Sequence, residues 1–271
     1  MLQLHRHLIL PLALFVLALF PNSAGAQWAA PERQEPSNPQ EVQKALSGGV
    51  PMGRWKEGLM FEGISPQPWL KSAANWFPNT EEVQPNEMRI HFMGTAPMIR
   101  PGQMNTSIWV MLGNGENFAF DIGEGSVANY VASGIALNEI KKVFITHLHV
   151  DHFGALPYVW MFGTWAGGWH QNLEVWGPSG RTPEYGLNTM VEGMKMMTNW
   201  HQDAFSVFPV GKGWDVIAHE FDFKDNGGLI YDRNGVKIIH WERSHAKDGA
   251  SAYRLDWNGL CFVWTGDGRP S

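Results

Sequence analysis

The strongest constraint on this chain is a run of nine residues, THLHVDHFG at 146–154, in which three histidines and one aspartate fall within six consecutive positions. The run before it, 142–145, is one lysine followed by three apolar residues and is typical of a buried strand. The residues from 154 to 160 are compatible with the start of a helix. The pattern therefore predicts a polar loop between a strand and a helix.

The spacing of the four polar side chains in this loop indicates metal binding. Side chains two positions apart in an extended segment point to the same side, so His147 and His149 can bind one ion. Asp151 and His152 follow the bend and can face a second ion. Imidazole nitrogen and carboxylate oxygen are ligands that zinc favours.

Two later strand ends supply further candidate ligands. His245 follows a predicted strand at 236–240, and Asp267 follows another at 260–265. Gly266 lets the backbone before Asp267 approach a neighbour closely. Each signal is weak alone, because such residues are common at surfaces and in turns. Together with the first cluster they predict a site in which Asp267 bridges two cations about 3.5–4 Å apart.

The chain divides into three predicted parts. Residues 1–26 resemble a secretory signal peptide, with Arg6 before an apolar run of 13 residues and a small-x-small cleavage pattern at 24–26. That run is too short for a comfortable membrane span, although an uncleaved anchor is the alternative. Residues 27–87 are a polar extension or linker. We therefore expect a periplasmic or secreted protein whose membrane contact is limited to the signal segment.

The remaining residues, 88–271, are predicted to form one α/β domain. Predicted strands cover 89–95, 107–112, 117–121, 142–145, 173–176, 214–219, 235–240 and 260–265, and predicted helices cover 127–133 and 183–200. Strands followed by alternating strands and helices indicate a mixed α/β layering.

The ordered set of candidate ligands resembles that of the metallo-β-lactamase fold hydrolases. Residues 92–95, 105–107, 120–125 and 265–270 are similar to the ribonuclease Z and arylsulfatase-like branch, and 105–107, 176–179 and 257–260 are similar to exported members associated with guanitoxin biosynthesis. The resemblance covers about 88–271. It implies a four-layer αβ/βα sandwich with two zinc ions.

The resemblance also implies how the ligands are divided. The first ion would be held by His147, His149, His245 and Asp267, and the second by Asp151, His152, Asp267 and a final histidine that family members carry after the bridging aspartate. The sequence given ends at Ser271. We therefore expect a C-terminally incomplete domain, or a fragment, with a depleted second site in an intact protein as the alternative.

These features predict an exported zinc-dependent hydrolase. A hydroxide shared by two ions would attack an ester, with a phosphodiester or sulfate ester favoured, and Asp151 would orient the nucleophile. A lactonase or a β-lactamase-type acyl hydrolase is the alternative enzyme. A non-catalytic remnant is the alternative outside catalysis.

Charge and composition lead to a prediction about partners. The formal net charge is −6, and the sequence has no evident Gly/Pro-rich arm of the kind that clamps tRNA. A basic footprint for nucleic acid is therefore lacking. We expect a small-molecule ester substrate and no nucleic acid, and the oligomeric state stays open.

Several other side chains have predicted supporting roles. Asp121 and Glu124 are candidates to orient the imidazoles, with a turn cap as the alternative for Asp121. His170 and His201 are not expected to be ligands. The tryptophans after the loop and a methionine stripe are interpreted mainly as core, with a pocket wall as the alternative for the tryptophans; these are Trp160, Trp165, Trp169, Met190, Met194 and Met197.

Overall fold

The computed structural model of the protein describes residues 82–100, 102–167, 172–207 and 211–269. The predicted signal peptide at 1–26 and most of the predicted extension lie outside these residues. The first strand begins at Met88. Within the described ranges, the helices are too short or too polar to cross a membrane.

A six-stranded sheet carries the histidine loop. Its strands are β1 (Met88–Gly94), β2 (Ser107–Leu112), β3 (Asn117–Phe120), β4 (Lys142–Phe144), β5 (Leu173–Pro178) and β6 (Val216–Phe221). They lie in chain order across the sheet. The first three are antiparallel, whereas β3 to β6 are parallel. The carboxyl ends of β3 and β4 therefore meet at one edge, where the loop begins.

A four-stranded antiparallel sheet packs against the first. It consists of β7 (Gly228–Arg233), β8 (Val236–Arg243), β9 (Ala250–Trp257) and β10 (Leu260–Trp264). Two of its turns are Asn-Gly pairs, at 234–235 and 258–259, with all four residues in the left-handed region. Such pairs are the preferred chemistry for two-residue hairpin turns.

Aromatic side chains fill the space between the sheets. Phe144 from β4 stacks on Trp176 from β5 with ring centroids 4.6 Å apart, and Phe120 from β3 stacks on Phe144 at 5.4 Å. Tyr253 on β9 lies against this cluster and donates its hydroxyl proton to the carbonyl of Ile145. The second sheet is thereby fixed to the strand end that precedes the histidine loop.

Helices cover the outer face of the six-stranded sheet. They are α1 (Ser126–Ala132), α2 (Val150–Phe153), α3 (Leu156–Gly167) and α4 (Leu187–Phe205), with short 3₁₀ turns at Leu137–Glu139 and Pro183–Tyr185. Their apolar faces form a second core with the sheet. The described residues thus form helix, sheet and sheet layers, and the predicted α/β sandwich class is confirmed.

Several element predictions need correction. β5 does not end at Trp176 as predicted but continues to Pro178, which pairs with Phe221 at the end of the parallel register. β7 and β9 were not predicted, although β9 alternates buried Tyr253 and Leu255 with exposed Arg254, a period-2 pattern. These two strands complete the hairpins whose Asn-Gly turns the sequence displays.

The methionine stripe on α4 is only partly core. Met194 is buried and Met190 is partly buried against the same cluster, but Met197 is 70% exposed. The buried face of the helix instead runs through Leu187, Val191, Met194 and Thr198, and Met197 lies off that face. Trp160 is fully buried in the core, and the side chains of Trp165 and Trp169 lie outside the described residues.

Candidate metal centre

Three histidines converge where β4 ends and α2 begins. His149 is the extended residue that precedes α2, so its ring and that of His147 project to the same side. His147 Nε2 lies 2.9 Å from His149 Nδ1, and His245 Nε2, from the loop after β8, lies 3.2 Å from the same atom. Nitrogen ligands about 2.0–2.1 Å from a tetrahedral zinc ion are about 3.3 Å apart. The spacing therefore fits one ion held by three imidazoles.

A second group forms beside the first and shares His147 with it. It contains His147, His152 and Asp267, whose potential ligand atoms lie within 4.8 Å of one another. His152 Nε2 is 3.6 Å from Asp267 Oδ1 and 3.5 Å from Asp151 Oδ2. All six residues predicted from the sequence thus lie in one region, and their role as metal ligands stays a prediction.

His152 shows that this second group fits a cation. Its ring is buried, and Nε2 has no hydrogen-bond partner among the described residues. A buried nitrogen without a partner destabilises a fold by about 1–3 kcal/mol. Here that nitrogen faces the carboxylates of Asp151 and Asp267, a nitrogen and oxygen donor set that suits zinc.

The buried Asp121 holds His152 in this orientation. Its carboxylate accepts hydrogen bonds from the backbone amide of Thr146 (2.7 Å), from His152 Nδ1 (2.9 Å) and from Trp264 Nε1 (2.8 Å). Because Nδ1 donates, Nε2 carries the lone pair when the His152 ring is neutral. A carboxylate behind a histidine ligand fixes its tautomer and ring position. Asp121 also adopts a positive φ of 58°, so both interpretations of this residue, orienting group and turn residue, describe it.

Thr146 connects the two groups. Its hydroxyl lies 3.0 Å from each carboxylate oxygen of Asp121 and 3.1 Å from His147 Nδ1. A hydroxyl that donates to Asp121 can accept from His147 Nδ1, which directs His147 Nε2 towards His149. Thr146 and Trp264 were not assigned roles from the sequence. Their only signals were their positions, Thr146 directly before His147 and Trp264 two residues before Gly266.

Gly266 brings Asp267 to the site. Its φ is +54°, and a Cβ atom there would lie 2.7 Å from Thr146 Oγ1. Only glycine allows both the backbone conformation and the close approach. The sequence argument about Gly266 agrees with this geometry.

The pKa values of two neighbouring imidazoles, those of His147 and His152, are shifted in opposite directions. Burial, together with the charges of His152, His149 and His245, lowers the pKa of His147 to about 3, although Asp267 opposes the shift. Burial also acts to lower the pKa of His152, but the hydrogen bond and charge of Asp121 outweigh it and raise that pKa above its ordinary value. His147 is therefore neutral at physiological pH, the form in which an imidazole binds metal.

Two other predictions can be placed. Glu124 is exposed, and its backbone carbonyl accepts from Asn105; among the described hydrogen bonds, its side chain reaches no imidazole of the site. Its predicted orienting role is therefore wrong. His201 lies on α4 against Phe205 with ring centroids 4.7 Å apart and belongs to neither histidine group. His170 lies outside the described residues.

A cavity of about 330 Å³ opens beside the three-histidine group. We call it the side pocket. Its lining comes from the histidine loop, the 3₁₀ turn before α4, α4 itself and the loop between β8 and β9: His147, Leu148, His149, Phe153, Glu184, Tyr185, Gly186, Thr189, Met190, His245, Lys247, Asp248, Gly249 and Ala250. Among the described tryptophans, none lines it. The sequence did not reveal this wall because its parts are far apart in the chain.

Comparison with known proteins places this fold in a family. The model of the metallo-β-lactamase superfamily matches residues 101–232. The ribonuclease Z of Picrophilus torridus is 35% identical over 210 residues, which cover 67% of each chain. The chain belongs to the metallo-β-lactamase superfamily.

Two further proteins are similar to this chain over part of its length. The ribonuclease Z of Halalkalibacterium halodurans is 28% identical over 154 residues, and the match spans 56% of this chain and 43% of that relative. The short form of human tRNase Z has a similar fold, with a TM-score of 0.52 and 20% identity over 67% of this chain and 69% of that structure. The predicted likeness to arylsulfatase-like and guanitoxin-associated members finds no support among these and stays a prediction.

These relatives overturn the prediction about partners. The exclusion of nucleic acid, and with it the restriction to small-molecule esters, is wrong, because these similar proteins are named ribonuclease Z. The physical error was to use the net charge of the whole chain. A phosphodiester responds to the local field, and bound cations are often the largest charges in such a site.

Proposed function

We propose that this protein is a metal-dependent hydrolase of phosphodiester bonds, with zinc as the metal and RNA within its substrate range. The observation that carries the proposal is the pair of ligand groups that share His147, with the buried Nε2 of His152 facing Asp151 and Asp267. The ribonuclease Z relatives support the choice of phosphodiesters over other esters.

The proposed ligands form two metal-binding positions. His147, His149 and His245 would hold the first ion, and His152, Asp151 and Asp267 the second. When bound, such ions lower the pKa of water towards neutrality and neutralise charge on a phosphoryl group. Asp121 keeps His152 Nε2 aimed at the carboxylates.

We assign to Asp151 the acceptance of the proton from the attacking water. Its Oδ2 lies 3.5 Å from His152 Nε2, at the edge of the second group but outside both three-residue clusters. From there the carboxylate can orient an attacking water and accept its proton. Asp267 is 42% exposed at its side chain, so the second group is open to solvent at this residue.

The decisive experiment measures metal content and phosphodiester cleavage together. Zinc-loaded protein is assayed with bis(4-nitrophenyl) phosphate and with a single-stranded RNA, beside sulfate ester, lactone and cephalosporin substrates. We expect phosphodiester and RNA cleavage that a chelator abolishes and zinc restores. Faster turnover of any of the other three classes would contradict the proposal.

A matched pair of variants controls for surface charge. Asp267→Asn should lose about 100-fold or more in activity, because even residues behind the ligands are worth about 10- to 100-fold. Asp232→Asn, an exposed acid on β7, should retain the activity of the wild type.

Export is a separate part of the proposal. The small-x-small pattern at 24–26 supports cleavage after Ala26. N-terminal sequencing of the protein recovered from its native host, or from a secreting bacterium, should give Gln27 as the first residue. Recovery with residues 1–26 attached would contradict export by this route.

A further inference from the structure

The side pocket offers an apolar surface next to the candidate metal centre. We infer that it binds an aromatic ring, a nucleobase or an aryl group, that is attached to the phosphodiester being cleaved. The inference rests on the proposed function and adds which part of the substrate the enzyme selects.

The inner surface of the pocket is apolar. It is lined by Leu148 from the histidine loop, Phe153 from α2 and Met190 from α4. All three are partly buried against the core between the helices and the six-stranded sheet. A flexible thioether beside a phenyl ring makes a surface that favours another aromatic ring. These three side chains come from different elements but are fixed by the same core, so the surface is formed before a ligand arrives.

The rim carries charge but no surplus of cations. Lys247 Nζ lies 3.8 Å from the ring centroid of Tyr185, and both residues line the pocket. Asp248 is paired with Arg181 at 2.7 Å, and Glu184 is the other acid among the described lining residues. Apart from the Asp248–Arg181 pair, the lining thus carries one lysine and one acid, Glu184, whose carboxylate accepts a hydrogen bond from Thr182. A second phosphate would gain little at such a rim, whereas a neutral ring meets no electrostatic penalty.

The size and position of the pocket suit a ring bonded to the reacting group. An apolar cavity of about 150 Å³ is known to accept benzene in another protein. The 330 Å³ of the side pocket therefore holds one ring and the atoms that link it to phosphorus. His149 and His245 form part of its wall, so the linked phosphate would lie at the first ligand group.

The test compares three phosphodiesters that release the same 4-nitrophenolate: the methyl, phenyl and thymidine 5′ esters of 4-nitrophenyl phosphate. Because the leaving group is constant, differences in kcat/KM report on the other substituent. We expect the zinc-loaded full chain to prefer the phenyl or thymidine ester over the methyl ester by about tenfold or more. A preference confined to the thymidine ester identifies a nucleobase, and one shared with the phenyl ester identifies any aryl ring. Equal kcat/KM for all three would overturn the inference.

Variants on α4 and in the 3₁₀ turn before it test whether the side pocket causes the preference. Met190→Gln keeps the length of the side chain but makes the inner surface polar, so the ratio of phenyl to methyl kcat/KM should fall to near unity. Met197→Gln changes the same residue type on the exposed side of α4 and should leave the ratio unchanged. Tyr185→Ala, at a half-exposed rim position, should lower the ratio without a risk to folding. An unchanged ratio in both Met190→Gln and Tyr185→Ala would contradict the assignment.

A binding measurement separates this inference from the proposed function. Calorimetry compares phenylphosphonate with methylphosphonate on the zinc-loaded protein. If no diester is hydrolysed, the proposed function fails, yet tighter binding of phenylphosphonate that Met190→Gln abolishes would still support the pocket. Equal affinities for the two phosphonates would overturn it whatever the activity.

Discussion

The two ends of the six-stranded sheet use polar side chains in opposite ways. At the end away from the site, Lys142 pairs with Glu116, and Glu174 accepts from both Arg233 and His219 at 2.8 Å. At the site end, the buried Nε2 of His152 has no partner among the described residues.

The pKa values show the same contrast. At the far end, burial would raise the pKa of Glu174, but Arg233 and His219 outweigh it and lower that pKa. At the site end, burial and three neighbouring histidines lower the pKa of His147 to about 3. One end uses its charges to stabilise the fold. The other leaves donor atoms to be completed by a ligand, which is how functional sites commonly depart from optimal stability.

The largest expected effect is that of Asp121→Ala. This substitution removes the acceptor for Thr146, His152 and Trp264 in a buried position. We expect a loss of about 3–5 kcal/mol in the free energy of unfolding, the range for breaking a buried charged pair. Zinc content should also fall, because His152 loses its orientation. Denaturant unfolding and metal analysis check the two effects, and a stable variant with full zinc content would show that the site end does not depend on Asp121.

Zinc should stabilise the folded protein only by binding at the site end of the six-stranded sheet. At a free zinc concentration 100 times its Kd, the stabilisation is about 2.7 kcal/mol. His147→Ala removes the residue common to both groups and should abolish the shift in Tm on zinc addition. His219→Ala, which alters a histidine at the far end, should retain the shift. Loss of the shift in the His219 variant, or its persistence in the His147 variant, would place the ion elsewhere.

Substitutions at two glycines distinguish the cost of backbone strain from the cost of steric crowding. Gly266 and Gly259 both have positive φ values, 54° and 76°, but a Cβ atom at 266 would meet Thr146 whereas one at 259 would meet nothing within 4 Å. Gly259→Ala should therefore show only the strain of a left-handed residue, about 1–2 kcal/mol. Gly266→Ala should lose more and should also lose zinc, because Asp267 is displaced. Equal losses of stability with full zinc binding would mean that the close approach does not position Asp267.

The sequence predicted the site better than the space around it. The histidine loop fixes four side chains locally, and glycine before Asp267 signals a close approach, so the convergence was predicted once the weak signals at two later strand ends were combined with the loop. The side pocket did not follow, because Tyr185, Met190 and Lys247 come from three separate elements. Nor did the role of Trp264, since the indole reaches Asp121 only when the two sheets pack together. Local patterns specify what a loop carries, whereas tertiary packing decides what lies opposite it.

The smallest expected effect is on the pH dependence of stability at the end of the six-stranded sheet away from the site. The pKa of Glu174 is lowered in the folded protein from its ordinary value of 4.5. A depressed carboxyl pKa contributes stability above pH 4.5, and that contribution is lost as the pH falls through the folded-state value. Glu174→Gln should therefore lower the free energy of unfolding by less than about 1 kcal/mol at pH 7, as partly exposed pairs do. The difference from wild type should vanish in acid, and zinc binding should be unchanged. Unfolding curves at pH 7 and pH 3, with zinc titrations at pH 7, measure both; altered zinc affinity would show that the two ends are coupled rather than independent.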